Sequence, residues 1–184
     1  MTQRGGVTEA LVVLDVITTF EHEDGDPLLE SVRGSVPVLA RALAHARERI
    51  AVIYVNDADG DWDGDAPGHI ARALAGKGGD VLRDVMPQPG DRVLFKPDYS
   101  AFDGTALAHL LGDLGVTRVV LAGAATEMCV AQTGIAARAR GCQVTVLRDA
   151  CATIDLENEQ ISLAYLEHVT GSVVRDTDDW ILRG

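Results

Sequence analysis

The sequence predicts a three-layer αβα fold, in which a six-stranded, mostly parallel sheet of Rossmann-like order 3-2-1-4-5-6 lies between two layers of helices. Short runs of apolar and β-branched residues lack polar alternation, as in parallel strands that are buried on both faces. Helical segments lie between these runs, and such alternation favours right-handed crossovers in a parallel sheet. The length of 184 residues suits one well-cored domain covering residues 1–184.

Six apolar runs are the predicted strands, since each has the length of a strand and is too short for a buried helix. The first ends at an acidic residue, and the fourth ends at a turn of small residues. In chain order the runs are Ala10–Leu14, Ile50–Val55, Arg92–Phe95, Arg118–Leu121, Gln143–Leu147 and Ser172–Val174.

Five segments between the strands carry the predicted helices: Val32–Arg49, Ile70–Leu74, Thr105–Leu114, Thr126–Arg140 and Leu156–His168. In the first of them Pro37 falls in the opening turn, where a missing N–H is tolerated. Gly115 stops the third, as glycine does at many helix C-termini. Polar, acidic stretches are predicted as two loops and a solvated end segment: Thr18–Pro27, Asn56–His69 and Asp176–Asp179. The second loop is long enough to suggest a functional role.

Charge and cysteine content exclude several classes of protein. A formal net charge of −12 argues against a nucleic acid or an anionic membrane as partner, because both require a basic surface. The three cysteines form no CxxC pair and no even disulfide framework, so a reducing cytoplasm is expected. The apolar run Ala10–Leu14 is too short for a signal peptide, and no stretch has the length of a membrane span.

Three ionisable side chains follow strands at corresponding places. Asp15 comes directly after the first strand, Lys96 after the third, and Cys129 lies in the first helical turn after the fourth. Because ligands bind at the carboxyl ends of strands in open α/β sheets, we expect these residues at one functional edge. Asp15 and Lys96 would pair there. This pair would take the proton of Cys129, and the N–H groups of the helix start would help to stabilise the resulting thiolate.

Each residue also has a structural interpretation. A strand-terminal aspartate often caps the next turn, a lysine there can reach solvent, and many cysteines are buried and inert. Cys142 and Cys151 are interpreted as packing residues. A papain-like pairing of Cys129 with His109 or His168 is the weakest alternative, because His109 lies within a helix and His168 near a helix C-terminus, where histidine commonly serves as a cap.

Several segments resemble the isochorismatase-like cysteine hydrolase superfamily, which includes nicotinamidases, N-carbamoylsarcosine amidohydrolases and ureidoacrylate amidohydrolases. These segments are LVVLD at 11–15, YVND at 54–57, KPDYSAFDGT at 96–105, GAATEMCVAQT at 123–133 and VLRDACAT at 146–153. The patterns K-x-x-x-S-A-F and G-x-x-T-x-x-C-V-x-x-T are specific individually. They occur here in the family's order, and the resemblance covers most of the chain.

The resemblance implies roles for individual residues. Cys129 would be the nucleophile, Asp15 the proton acceptor and donor, and Lys96 the cation that lowers the pKa of the thiol. A cis peptide bond is implied between Ala124 and Ala125. It would turn the Ala125 N–H towards the substrate, so that the Ala125 and Cys129 N–H groups form an oxyanion hole. Aromatic residues expected on the pocket wall, with core packing as the alternative for each, are Phe20, Trp62, Tyr99 and Phe102.

Two departures from the family pattern matter. Many members carry glutamine two residues after the catalytic aspartate, whereas this chain has Ile17. Nicotinamidases bind a metal through an aspartate and histidines after the second strand. Here that loop offers Asp57, Asp59 and only His69, without a closely spaced Asp-x-His, so no metal and no cofactor are expected. Nicotinamidase activity is correspondingly disfavoured.

The expected function is cysteine-dependent hydrolysis of a C–N bond in a small amide, carbamoyl or ureido substrate. One alternative is an isochorismatase-type vinyl-ether hydrolase that uses Asp15 as an acid, although members with that chemistry need no cysteine. Another is a non-catalytic binding member of the fold. The family resemblance further implies a homo-oligomer, a dimer or a tetramer, with a small-molecule substrate.

Overall fold

The apolar runs of the sequence form one parallel sheet in the computed structural model, which describes residues 8–58 and 64–183. Six strands in the described residues have the order β3-β2-β1-β4-β5-β6, and every neighbouring pair is parallel. This confirms the predicted order. The strands are β1 Thr8–Leu14, β2 Ala51–Asp57, β3 Arg92–Lys96, β4 Val116–Ala124, β5 Gln143–Ala152 and β6 Val173–Arg175.

Seven α-helices cover the two faces of the sheet within the described ranges. They are α1 Gly25–Arg47, α2 Ala66–Ala75, α3 Gly79–Leu82, α4 Leu107–Asp113, α5 Ala131–Ala139, α6 Leu156–His168 and α7 Thr177–Arg183. Residues of α1, α2, α3 and α7 share one hydrophobic cluster with one face of the sheet. Residues of α4, α5 and α6 share a second cluster with the opposite face. The result is the expected three-layer arrangement. No helix in the described ranges is long and apolar enough to cross a membrane.

The central strands β1 and β4 lie side by side and carry the site at their carboxyl ends. Ala10 to Leu14 of β1 are all 0% exposed, as expected for a strand with helices on both sides. Leu14 is in register with Val55 of β2 and with Gly123 of β4. The chain segments that leave these three strands therefore begin at the same edge of the sheet.

Boundaries differ from the prediction at all three acidic stretches, and in the second α2 begins at Ala66, inside the predicted loop Asn56–His69. Helix α1 begins at Gly25, seven residues before the predicted Val32, because Leu28 and Leu29 extend its buried face. Pro37 consequently lies inside the helix. The predicted solvated end segment Asp176–Asp179 instead leads into α7, whose Trp180 is buried in the core. Acidic residues in a first helical turn face the positive end of the helix dipole, which suits them to that position.

Strand β5 is also longer than predicted, because it continues through polar residues to Ala152. Cys151 therefore lies within the strand, opposite Gly123 of β4, and is buried. This position agrees with the packing role that was expected for it.

Candidate active site

Asp15, Lys96 and Cys129 lie together at the carboxyl edge of the sheet. Lys96 Nζ is 2.9 Å from Asp15 Oδ2 and donates a hydrogen bond of 3.4 Å to Cys129 Sγ. The N–H of Asp57, at the end of β2, donates to Asp15 Oδ1 at 2.6 Å. Asp15 itself has a φ of 48°, in the left-handed region that aspartate tolerates better than most residues. The structure thus brings all three sequence-predicted residues into contact.

Lys96 reaches Asp15 across an intervening strand. It is the last residue of β3 and is in register with Asp57 of β2, whereas Asp15 follows β1. The lysine residue is 1% exposed, so its ammonium group is removed from water. Burial alone would lower the pKa of Lys96, but the negative charge of Asp15 and the Cys129 sulfur raise it above its ordinary value. Lys96 is therefore protonated at neutral pH.

The two acidic partners have raised pKa values. Burial raises the pKa of the Asp15 carboxyl, and Lys96 opposes this effect. Burial and the Asp15 charge together raise the pKa of the Cys129 thiol to about 12, while Lys96 lowers it only in part. The resting thiol is therefore protonated. This differs from the stabilised thiolate expected from the sequence, because burial and a nearby carboxylate outweigh the ammonium group and the helix start.

Cys129 lies in a single π-helical turn, Thr126–Val130, that connects β4 to α5. The Val130 N–H donates to Ala125 O, five residues earlier, at 3.2 Å. The Ala124–Ala125 peptide bond that precedes this turn is cis, as the family resemblance implied. Single π turns inside or beside helices are found often at functional sites.

Gly123 permits β4 to approach the end of β1 closely. Its φ is +110°, and a Cβ atom built on it would lie 2.1 Å from Leu14 O. A side chain at this position would therefore collide with backbone rather than with a movable group. Glycine is required here both for its conformation and for its lack of a side chain.

Glu127 anchors the turn and was not identified from the sequence. Its Oε1 accepts hydrogen bonds from the backbone N–H groups of Ile154 and Asp155, at 2.9 and 3.0 Å. Its Oε2 accepts one from Thr153 Oγ1 at 2.8 Å. These contacts join the turn to the loop after β5. The only signal in the sequence was an acidic residue within an otherwise small and apolar turn.

Two threonines give further support that the sequence analysis did not predict. The Thr126 hydroxyl contacts Ala152 O and Glu159 Oε1 at 3.1 and 2.9 Å. Thr133 Oγ1 of α5 accepts the N–H of Ala101 at 2.9 Å. The segment after Lys96 is thereby attached to the helix after Cys129, although the two are more than thirty residues apart.

A cleft of about 390 Å³ opens next to the three residues, and Asp15, Ala125 and Cys129 are part of its lining. This volume lies within the ordinary range of small-molecule sites. Apolar side chains of Ile17, Leu28, Met128 and Ile154 cover much of its wall, and polar groups of Thr18, His22, Asp24, Asn56 and Asp57 complete it. A small organic molecule can therefore reach Cys129.

Of the four aromatic residues expected on the pocket wall, Tyr99 lines the cleft and is 45% exposed. Phe20 and Phe102 do not line it. Phe20 is 0% exposed in the core on the α1 side, and Phe102 is buried in the opposite cluster with the Arg140 guanidinium over its ring. Both rings pack among core side chains, and neither is part of the cleft lining. Trp62 lies outside the described residues.

The remaining alternatives to the predicted site were a metal site and a cysteine–histidine pair. Within the described residues, no group of three or more His, Cys, Asp or Glu side chains is arranged to hold a metal ion. His69 is buried, and its Nε2 lies 3.1 Å from Ile17 O. Asp59 is not among the described residues. His109 and His168 have exposed side chains on α4 and α6 that pair with local acidic residues, so neither is the partner of Cys129.

The chain is similar to known proteins in both sequence and fold. The Isochorismatase domain family matches residues 9–179. The uncharacterized isochorismatase family protein YaaI of Bacillus subtilis is 31% identical over 162 residues, which cover 88% of this chain and 90% of that protein. Streptothricin hydrolase of Streptomyces noursei is 33% identical over 153 residues, which cover 80% of this chain but only 56% of the hydrolase. N-carbamoylsarcosine amidase from Thermoplasma acidophilum superposes with a TM-score of 0.70 at 30% identity, covering 94% of this chain and 98% of the amidase.

Proposed function

This chain belongs to the isochorismatase family of hydrolases, and we propose that it cleaves a C–N bond of a small amide, carbamoyl or ureido substrate through an acyl-enzyme on Cys129. One observation carries the proposal. A thiol, a carboxylate and an ammonium group contact one another beside a cleft of substrate size. A cysteine paired with a proton acceptor is the usual arrangement for a covalent nucleophile.

In the first step the Cys129 sulfur attacks the substrate carbonyl while its proton moves to Asp15. A thiol with a pKa of about 12 releases little proton by itself at neutral pH, so transfer to a base must accompany attack. Lys96 remains protonated throughout. Its charge faces both the carboxylate and the sulfur and stabilises the thiolate as it forms.

The tetrahedral intermediate carries its negative charge on the former carbonyl oxygen. The backbone N–H groups of Ala125 and Cys129 are proposed to donate hydrogen bonds to this oxygen, because both residues line the cleft beside the sulfur. Asp15 then gives its proton to the leaving nitrogen as the C–N bond breaks. Water attacks the resulting thioester with Asp15 as base, and the thiol is restored by the returning proton.

The decisive experiment compares wild type with Cys129→Ser and Cys142→Ser on a panel of small amides, carbamoyl compounds and ureido compounds, with isochorismate included. Release of ammonia or amine should be lost in Cys129→Ser and retained in Cys142→Ser. Mass spectrometry of wild type quenched during turnover should show an acyl adduct on the peptide that contains Cys129. Hydrolysis of isochorismate that survives Cys129→Ser would instead favour vinyl-ether chemistry with Asp15 as acid. Full activity in both variants would exclude the cysteine mechanism.

We also propose that the protein acts as a homo-oligomer. Large apolar side chains are exposed on and just after α6, namely Leu156, Ile161, Tyr165 and Val169, and an uncovered apolar surface of this kind favours a protein contact. Light scattering coupled to size-exclusion chromatography tests this directly, with Ile161→Glu and Tyr165→Glu as disrupting variants. A monomeric wild type would exclude the proposal.

A further inference from the structure

Among the described residues, the cleft wall contains a buried hydrogen-bond acceptor without a donor. Asn56 is 1% exposed, and its Nδ2 donates to Ile17 O at 3.2 Å. This contact fixes the orientation of the amide. The other amide atom, Oδ1, has no hydrogen-bond partner in the part of the chain that the structure describes. A buried polar atom of this kind is rare in folded proteins and is usually satisfied by a ligand or by water. It points to an N–H group as the missing partner.

Two carboxylates line the same cleft. Asp57 follows Asn56 directly and contributes its backbone N–H to Asp15. Asp24 lies just before α1, is exposed, and makes no side-chain hydrogen bond that caps the helix. Its carboxylate is therefore not committed to the adjacent helix terminus.

No arginine or lysine is among the described residues that line the cleft. The nearby cation, Lys96, is buried and paired with Asp15, so it adds no net positive charge for a substrate to use. His22 and Tyr99 are the further titratable side chains on the wall as described. Apart from the reacting groups and His22, every charged side chain on the described wall is a carboxylate.

We propose that Asn56, Asp57 and Asp24 form a subsite for a positively charged amino group on the amide substrate, and that amides bearing a carboxylate are poor substrates. This inference rests on the proposed function of Cys129 and deepens it by naming the substrate class. An ammonium group supplies N–H donors to the unpaired Asn56 oxygen and opposite charge to the two carboxylates. A carboxylate in the same position would meet two like charges and the Asn56 oxygen, which cannot donate a hydrogen bond to it.

Charged thiol reagents test the subsite without knowledge of the natural substrate. The probes are cationic 2-aminoethyl methanethiosulfonate, anionic 2-sulfonatoethyl methanethiosulfonate and neutral methyl methanethiosulfonate, each of which converts a thiol to a mixed disulfide. Rates at Cys129 are obtained by peptide mass spectrometry and divided by the rates for free 2-mercaptoethanol. The corrected rate of the cationic probe should exceed that of the anionic probe by about tenfold or more at low salt, and the ratio should fall as ionic strength rises.

Variants at the rim of the cleft identify the residue responsible. Asp24→Asn should lower the ratio, and Asp24→Lys should lower it further. Glu23→Gln removes a neighbouring exposed carboxylate that is not part of the described lining, and it should leave the ratio unchanged. Equal or faster labelling by the anionic probe, or the same ratio in Asp24→Lys as in wild type, would overturn the subsite. If the subsite is overturned but the neutral probe still labels Cys129, the proposed role of Cys129 as nucleophile stands. If none of the three probes reacts with Cys129, both the subsite and the nucleophilic role are excluded.

Hydrolysis provides an independent measurement through three amides of similar size: 4-aminobutanamide, pentanamide and succinamate. The value of kcat/KM should be highest for 4-aminobutanamide, lower for pentanamide and lowest for succinamate. The highest and the lowest values should differ by at least about tenfold. Asp24→Lys should narrow or reverse this difference. Faster cleavage of succinamate than of 4-aminobutanamide by wild type would overturn the proposal and would leave the amidase activity established.

Discussion

Lys96 Nζ lies 2.9 Å from Asp15 Oδ2, although β2 separates β3, which ends at Lys96, from β1, which Asp15 follows. The lysine passes the end of β2 and brings a full positive charge to the base of the cleft, where the lysine itself is 1% exposed. In such surroundings each charge is tolerated because the other is present. The Asp15–Lys96 ion pair consequently contributes both to the stability of the fold and to the proposed reaction at Cys129.

The first prediction concerns the stability of this ion pair. Lys96→Met should lower the free energy of unfolding by about 3–5 kcal/mol, because it leaves the Asp15 carboxylate buried without its counter-ion. The double variant Asp15→Asn/Lys96→Met should lose less than the sum of the two single losses, since both charges are then absent. Urea denaturation at pH 7 measures all four proteins.

An exposed ion pair serves as the matched control for this cycle. Lys77 pairs with Asp26 on the surface, and Lys77→Met should therefore unfold at nearly the same urea concentration as wild type. Strict additivity of the two single substitutions at Asp15 and Lys96 would contradict the coupling that the structure indicates.

The second prediction follows from the raised pKa of Cys129. Its value in the folded protein is about 12, against 9.0 for an ordinary thiol, so the folded state keeps a proton that the unfolded chain releases. The resulting stabilisation is fully present below about pH 9 and is lost as pH rises towards 12. Wild type should therefore lose stability between pH 8 and 10.5 more steeply than Cys129→Ser, as measured by urea denaturation under reducing conditions. Identical slopes for the two proteins would indicate that the thiol is not buried against Asp15.

The third prediction assigns Glu127 a positioning role. Glu127→Ala removes the acceptor for two backbone N–H groups and one hydroxyl, so stability should fall by about 1–3 kcal/mol. The turn Thr126–Val130 should also hold Cys129 less firmly in position, so kcat should fall by a larger factor than KM rises. Glu30→Ala changes an exposed glutamate of α1 and is the control. A drop in stability with an unchanged kcat would limit Glu127 to a structural role.

The fourth prediction compares two glycines. Gly123→Ala should cost at least about 1–3 kcal/mol from its backbone conformation, with the clash against Leu14 O adding to this. Gly112→Ala lies in α4, where an added Cβ meets nothing within 4 Å, and should be neutral or stabilising by up to about 1 kcal/mol. Thermal unfolding distinguishes the two. Equal effects at both positions would show that β4 and β1 do not approach as closely as the structure indicates.

Much of the fold was predictable from local pattern. Apolar runs without alternation indicate strands buried on both faces, and their alternation with amphipathic segments indicates parallel crossovers. Local spacing also placed Asp15, Lys96 and Cys129 after their strands. It did not predict α7, because the apolar contact that stabilises this short acidic helix, Trp180 in the core beside α1, comes from a distant part of the chain.

The sequence by itself determined the fold class with its strand order, the family and the identity of the three reacting side chains. This was possible because motifs and periodicity are properties of neighbouring residues. The tertiary structure decided whether those side chains touch and in which protonation state they rest. It placed Phe20 and Phe102 in the core and left Asn56 Oδ1 without a donor in the described chain. These properties depend on burial and on distances between segments far apart in sequence. The pKa of Cys129 in particular is set by the water it loses and by Asp15, more than a hundred residues away.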